Sequence, residues 1–217
     1  MTRKIPQQSF GSLRVKTPSC LPGQRIGVMG GTFNPPHEGH RTAAEAAMKR
    51  LGLDQLWWLV TPGNPLKSNN GLPDLHGRMK LVQTFARGPK MKITGFEREL
   101  GTRYTAGTLA YLKRRYPGVR FVWIMGADNL AYFDRWQHWR QIAETMPIAV
   151  VDRPGWRHRG LSSPAARALQ RYRLPESEAR HLAGRAPPAW MLLSIKLSGL
   201  SSTALRTAAA PALAQNN

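Results

Sequence analysis

Residues 30–40 read GGTFNPPHEGH, and no other stretch of the 217 residues restricts the fold as tightly. Residues 25–29 just before it (RIGVM) run mostly apolar, as a short buried or half-buried strand does. Residues 41–51 just after it (RTAAEAAMKRL) collect good helix formers with apolar side chains at helical spacing. Gly30 and Gly31 therefore stand where a strand turns tightly into a helix, and their missing side chains let a ligand approach the backbone. Pro35 and Pro36 bar an earlier helix start and place it near His37. A helix start presents unpaired N–H groups and a partial positive charge. His37 and His40, three residues apart, share one helical face, so both can donate hydrogen bonds to a single polyanion, and Gly39 keeps that face open. The pattern predicts a strand-turn-helix unit that holds phosphate. It fits a metal poorly, since there is no HExxH and the only cysteine is Cys20, so no cysteine cluster completes a zinc shell.

Strand-like and helix-like segments alternate along the rest of the chain. Strands are predicted at residues 55–61 (QLWWLVT), 90–94, 120–125 (RFVWIM) and 148–151, and helices at 75–87, 105–116 and up to about 146. With the first strand this makes five, and the alternation predicts a single α/β domain built on a Rossmann-like doubly wound parallel sheet. Its ligand crevice lies at the carboxyl ends of the strands. Residues 1–24 are expected to form a flexible basic extension, 25–206 the domain and 207–217 a flexible tail. Residues 153–188 are rich in Arg, Pro and Gly, with one short helical patch at 164–172. No internal repeat is present.

The excess of 32 Lys and Arg over 12 Asp and Glu, net +20, raises the rival reading of a nucleic-acid-binding protein. The basic residues are spread along the chain, however, and no finger or RNP pattern accompanies them. Positive potential also steers anionic small substrates into a cleft, so weak nonspecific affinity for nucleic acid is expected as a by-product. No apolar stretch is long enough to cross a bilayer and the N-terminal residues lack the apolar core of a signal peptide, so a cytoplasmic location is expected. One cysteine makes no intrachain disulfide.

The 30–40 run resembles the HxGH signature of the nucleotidyltransferase superfamily of α/β phosphodiesterase-like enzymes. A second signature of that superfamily has its counterpart in residues 200–206 (LSSTALR). Ser201 or Ser202 can cap a helix whose first amides face phosphate, with Arg206 reaching it from the first turns. By itself that is ordinary capping, and next to HxGH it makes the second wall of a triphosphate site. Residues 62–67 (PGNPLK) follow the second strand and should overhang the crevice. There Asn64 can bond a substrate and Lys67 can neutralise a phosphate, although a solvated turn lysine would look the same.

Within the superfamily, residues 97–115 (ERELGTRYTAGTLAYLKRR) and 124–142 (IMGADNLAYFDRWQHWRQI) are similar to nicotinate mononucleotide adenylyltransferases. The resemblance extends over residues 25–206. It implies that Gly30, Gly31, Thr32, Phe33, Asn34, Ser201, Ser202 and Thr203 bind ATP, with Asn34 in place of the more frequent Asp. It also implies that Gly126 and Asp128 lie by the adenosine and that Arg153 stacks on the adenine face. The backbone around Tyr104 and Thr105 would bind the pyridine carboxylate, and Trp136 would stack on the ring, leaving Trp139 as a core anchor.

The implied reaction transfers AMP from ATP to nicotinate mononucleotide, giving nicotinate adenine dinucleotide and pyrophosphate, with His37, His40, Lys67 and Arg206 as catalytic residues. Magnesium is expected to arrive with ATP rather than on a dedicated protein site. The expected partners are ATP and nicotinate mononucleotide, with no membrane and no specific nucleic acid; monomer and homo-oligomer both stay open. Nicotinamide mononucleotide or phosphopantetheine adenylyltransferase are the alternative enzymes.

Overall fold

Six strands form one all-parallel sheet in the order β3-β2-β1-β4-β5-β6. They are β1 (Arg25–Gly31), β2 (Gln55–Val60), β3 (Met91–Thr94), β4 (Arg120–Gly126), β5 (Ile148–Val151) and β6 (Trp190–Leu193). Between them run α1 (Glu38–Leu51), α2 (Leu75–Phe85), α3 (Glu97–Leu100), α4 (Thr105–Arg115), α5 (Ala127–Leu130), α6 (Trp139–Thr145), α7 (Arg157–Leu161) and α8 (Pro164–Ala168). This computed structural model describes residues 15–64, 69–102 and 104–195; Lys67, Ser201, Ser202, Thr203 and Arg206 lie outside the described residues.

All the strands except the partly exposed β3 are buried on both faces, and the period of two sorts their side chains into two cores. Ile26, Val28, Trp57, Leu59, Phe121, Trp123, Met125, Ile148 and Val150 pack with Leu109 and Leu112 of α4 and Ile142 of α6. Met29, Leu56, Trp58, Val60, Val122, Ile124, Ala149 and Val151 pack with Ala44, Ala47 and Leu51 of α1 and Val82 of α2. The predicted Rossmann-like doubly wound sheet is the observed one. The connections run one way from β1 to β3 and the other way from β4 to β6, so the switch point falls between the carboxyl ends of β1 and β4.

The helix predicted to open near His37 does so: His37 is the N-cap of α1, and Gly52 ends it in the left-handed region at φ 60°. Elsewhere the sequence reading needs correction. The sheet has a sixth strand, β6, a run of only four residues whose Trp190 indole N–H donates to the Leu169 carbonyl at 2.8 Å. The helix expected to run to about 146 is three pieces, because Phe133–Arg135 tightens to a 3-10 turn and His138 adopts a positive φ of 57° before α6. Residues 153–188 hold more than one helical patch: α7, α8 and 3-10 runs at Gln170–Tyr172 and Glu176–Gly184, the last packing on α1 through Ala179, Leu182 and Ala183. Residues 15–24, expected to be flexible, lie against the domain. There Val15 and Cys20 touch the first core and the Gly23 N–H donates to the Gly118 carbonyl at 2.8 Å. No helix among the described residues is long and apolar enough to cross a membrane.

Glu97 opens α3 within the first core at 5% exposure, accepting a 2.6 Å hydrogen bond from the Thr108 hydroxyl. Burial pushes its carboxyl up to about 7, against the smaller opposing effect of the Thr108 bond. A raised folded-state pKa favours the folded protein fully below the unfolded carboxyl range near 4.5, and that contribution is lost as pH rises through about 7. Glu97→Gln keeps an oxygen for Thr108 and removes the charge, so it should stabilise by about 3 kcal/mol at pH 8 and by less than about 1 kcal/mol at pH 5. Urea melts at the two pH values test this; an equal effect at both would show that Glu97 does not titrate in this range.

Candidate active site

The turn after β1 is shaped by its neighbours as much as by its own residues. A Cβ on Gly30 would stand 2.4 Å from Cη2 of Trp123 on the adjacent β4, so the missing side chain makes room for an indole ring. Phe33 takes a positive φ of 46° to turn the chain. Its ring, 3% exposed, lies edge-on to His40 at 5.1 Å and tilted against Trp58 at 5.2 Å. Phe33, expected at the ATP, is thus a packed support under the histidines. The Thr61 N–H, at the end of β2, donates to the Gly31 carbonyl at 2.9 Å and keeps the two strand ends level.

The two histidines are brought together, with ring centroids 3.8 Å apart and planes inclined by 34°. They do not act alike. The His37 backbone N–H donates to His40 Nδ1 at 3.3 Å, the backbone half of a capping-box contact with a histidine in place of the usual Glu. That contact makes Nδ1 an acceptor, so a neutral His40 carries its proton on Nε2 and offers it outward. The expectation that both rings simply donate is corrected to this extent: one nitrogen of His40 is already used. His37 is 3% exposed, and neither of its ring nitrogens has a hydrogen-bond partner among the described residues. A buried polar atom without a partner is costly, and a phosphate oxygen would relieve the cost.

Burial disfavours the charged form of both rings. His40 is pushed down to about 3 by burial first, then by His37 and Arg153. His37 is pushed down to about 4, again by burial first, with Arg153 adding to the shift and Asp128 opposing it. At neutral pH the pair is therefore uncharged. It can present N–H donors without repelling the guanidinium beside it.

That guanidinium comes from Arg153, just past β5, and donates at 2.6 Å to Oδ2 of Asp128, just past β4. The other carboxylate oxygen of Asp128 is buried without a partner among the described residues. Gly126 has no side chain for a steric reason, since a Cβ there would stand 2.3 Å from that same oxygen. His37, His40, Asp128 and Arg153 thus lie together at the switch point; the Arg153–Asp128 ion pair is a feature that the sequence does not show.

Trp136 is partly buried, edge-on to Phe133 at 5.5 Å and to Trp123 at 6.5 Å, and Trp123 is the ring beneath Gly30. This run of aromatic rings links the turn after β1 to Trp136. Trp139 is buried against Phe133 and is a core residue, as expected. Tyr104 is the N-cap of the eleven-residue α4, with Thr105 its first residue. The Thr102 hydroxyl holds the Tyr104 backbone at 3.3 Å on both N–H and carbonyl, and a Cβ on Gly107 would stand 2.8 Å from that hydroxyl. The Asn64 N–H donates at 2.9 Å to the side chain of Asn69, which closes the front of the loop after β2.

Two positioning residues escaped the sequence reading, Asn69 and Arg78. Arg78 is 1% exposed and its guanidinium bonds backbone carbonyls of the loops after β1 and β2. Its phase was a usable signal, because it stands four residues before the buried Val82 and so on the inward face of α2.

The cytidylyltransferase-like family profile matches residues 28–208. The chain is 58% identical over 183 residues to a probable nicotinate-nucleotide adenylyltransferase from a Bradyrhizobium species, covering 84% of this chain and 95% of the relative. It is 56% identical over 183 residues to another so named from Rhizobium meliloti, covering 84% and 97%. The structure of Plasmodium falciparum nicotinic acid mononucleotide adenylyltransferase complexed with NaAD superposes with a TM-score of 0.63 at 17% identity, over 85% of this chain and 83% of that one. At that identity the superposition speaks for the fold.

Proposed function

We propose, from the premise that the chain belongs to the nicotinate-nucleotide adenylyltransferase family, that it transfers the adenylyl group of ATP to nicotinate mononucleotide. The products are nicotinate adenine dinucleotide and pyrophosphate. The observation that carries the reading is the juxtaposed His37–His40 pair at the start of α1, set beside Arg153 and Asp128 at the switch point of the sheet.

An oxygen of the acceptor's 5′-phosphate attacks the α-phosphorus in line, and the bond from that phosphorus to the bridging oxygen of pyrophosphate breaks. The attacking oxygen is already ionised at neutral pH, so no general base is needed. Catalysis then consists of positioning and of stabilising charge on the α-phosphate and the departing pyrophosphate. His40 donates from Nε2 and His37 from whichever ring nitrogen bears the proton. As the polyanion settles it favours the imidazolium forms, so each ring can gain charge when the substrate supplies the counter-charge. Arg153 exchanges or shares its bond to Asp128 to face the adenine. Lys67 and Arg206, with Ser201, Ser202 and Thr203, are assigned to the polyphosphate on their sequence position. Tyr104 and Thr105 offer the amides at the start of α4 to the pyridine carboxylate.

Enzymes of this class use a divalent cation, and magnesium bound to the ATP phosphates would add screening of their charge. No group of three or more His, Cys, Asp or Glu side chains able to hold a metal occurs among the described residues. Two imidazoles beside a guanidinium suit phosphate oxygens better than a resident cation, so no step is assigned to one.

The direct test is pyrophosphate release from Mg-ATP with nicotinate mononucleotide, nicotinamide mononucleotide and phosphopantetheine in parallel. Strong preference for the first is expected; release only with another acceptor would overturn the pocket assignment. Trp136→Ala should raise the KM for the pyridine nucleotide about tenfold or more while that for ATP moves less than about threefold. Equal changes in both would make Trp136 a packing residue only.

A further inference from the structure

Arg78 takes part in none of the steps above, yet it is among the most deeply buried large side chains of the protein. Its Nη1 donates to the carbonyls of Thr32 and Thr61, both at 2.8 Å. Nη2 donates to the Pro62 carbonyl at 3.2 Å, and Nε to the Pro73 carbonyl at 2.9 Å. No carboxylate forms an ion pair with it among the described residues; Asp74, one turn earlier, instead caps α2 by accepting from the Gly77 N–H at 3.0 Å.

A guanidinium buried against carbonyls alone is an expensive way to fill space, and an apolar side chain of the same size would fill it better. What arginine adds is a planar, rigid fork that fixes several acceptors relative to one another. Here the acceptors belong to two different loops. Thr32 is in the turn that leads to the histidines, and Thr61 and Pro62 open the loop that carries Asn64. The Thr61 N–H also donates to the Gly31 carbonyl at 2.9 Å, so the fork extends the sheet's registration past the strand ends.

We propose that Arg78 is a positioning residue that couples the ATP loop after β1 to the acceptor loop after β2, so that each nucleotide is bound more tightly when the other is present. This rests on the adenylyltransferase reading, since it needs the two loops to serve two different nucleotides.

The experiment is calorimetric titration of a non-hydrolysable ATP analogue and of nicotinate mononucleotide, each alone and each with the other saturating, on wild type, Arg78→Lys and Arg78→Met. In wild type the second ligand should bind about tenfold tighter than when alone. In Arg78→Met that factor should fall to about one while each single affinity stays within about threefold, and kcat should drop by about 10² as the loops lose registration. Arg78→Lys, which keeps the charge and loses the fork, should behave like Arg78→Met, whereas a role in charge alone would leave it like wild type. Coupling retained in a folded Arg78→Met overturns the proposal. If neither variant folds, hydrogen exchange on wild type decides: the ATP analogue alone should slow exchange at the Gly63 and Asn64 amides, and unchanged exchange there overturns it. Wild-type protein that turns over normally without coupling refutes the assignment of Arg78 alone. Wild-type protein that releases no pyrophosphate refutes the functional reading, and this one with it.

Discussion

His40→Ala should lower kcat by about 10² to 10³ while leaving the melting temperature nearly unchanged. The bond from the His37 N–H to Nδ1 fixes the proton of the neutral ring on Nε2, and burial holds the ring neutral, so in the proposed mechanism His40 would meet the substrate as a ready-oriented donor. A donor aimed at charge that grows in the transition state contributes there more than in the ground state, so kcat should fall further than the KM for ATP rises. Alanine is the best helix former, and His40 is not one of the fully buried core residues. The structural losses are one weak 3.3 Å bond, the ring contact with His37 and the edge contacts with Phe33 and Trp58. Single-turnover rates with a thermal melt decide it. A variant with near wild-type turnover would remove His40 from the mechanism, and a large drop in melting temperature would mean that the ring is a packing element first.

The second large effect belongs to Gly30. Gly30 does not have a positive φ, so backbone strain is not the reason for glycine there; the reason is Cη2 of Trp123, which an added Cβ would approach to 2.4 Å. The Trp123 ring is 2% exposed and packed edge-on against Trp136, so it has little room to turn aside. Gly30→Ala should therefore destabilise by about 2 kcal/mol, in the range for an overpacked core. It should also cost about 10² in kcat/KM, because the carboxyl end of β1 aims the turn that carries both histidines. Trp123→Phe removes the outer ring that causes the clash. In the double variant most of the stability lost to alanine should return, as a coupling of more than about 1 kcal/mol in a double-mutant cycle. Additive effects would place the clash elsewhere, and a Gly30→Ala protein as stable and active as wild type would show that β1 and β4 can part to accommodate the methyl.

How much of this was legible beforehand varied with the range of the interaction. The helix start at His37, the strand ending at Gly30 and Gly31, and five of the six strands depend on local rules of proline, glycine and apolar periodicity, and those rules operate within a few residues. β6 was missed because four apolar residues after a pair of prolines carry too little periodic signal. It forms because β5 leaves an edge beside it, with Ile148 to Val151 pairing Trp190 to Leu193. The breaks at Phe133 and His138 were hidden for a related reason: nothing in the local composition marks them, and packing of Phe133 against Trp136 and Trp139 replaces the helix there.

The same division runs through the site. The sequence by itself determined that a glycine- and proline-bearing turn joins a strand to a helix, that His37 and His40 share a face of it, and that the parallel sheet gathers such turns at one edge. These follow from the covalent geometry of glycine and proline and from the helical period. Only the tertiary structure decided the state and support of those residues. It neutralised the histidines by burying them beside Arg153, paired that arginine with Asp128, slid Trp123 under Gly30 and sent Arg78 into the gap between two loops. Each of these depends on desolvation or steric fit between residues tens of positions apart. Such effects are set by which surfaces meet when the sheet closes, and a linear pattern does not contain them.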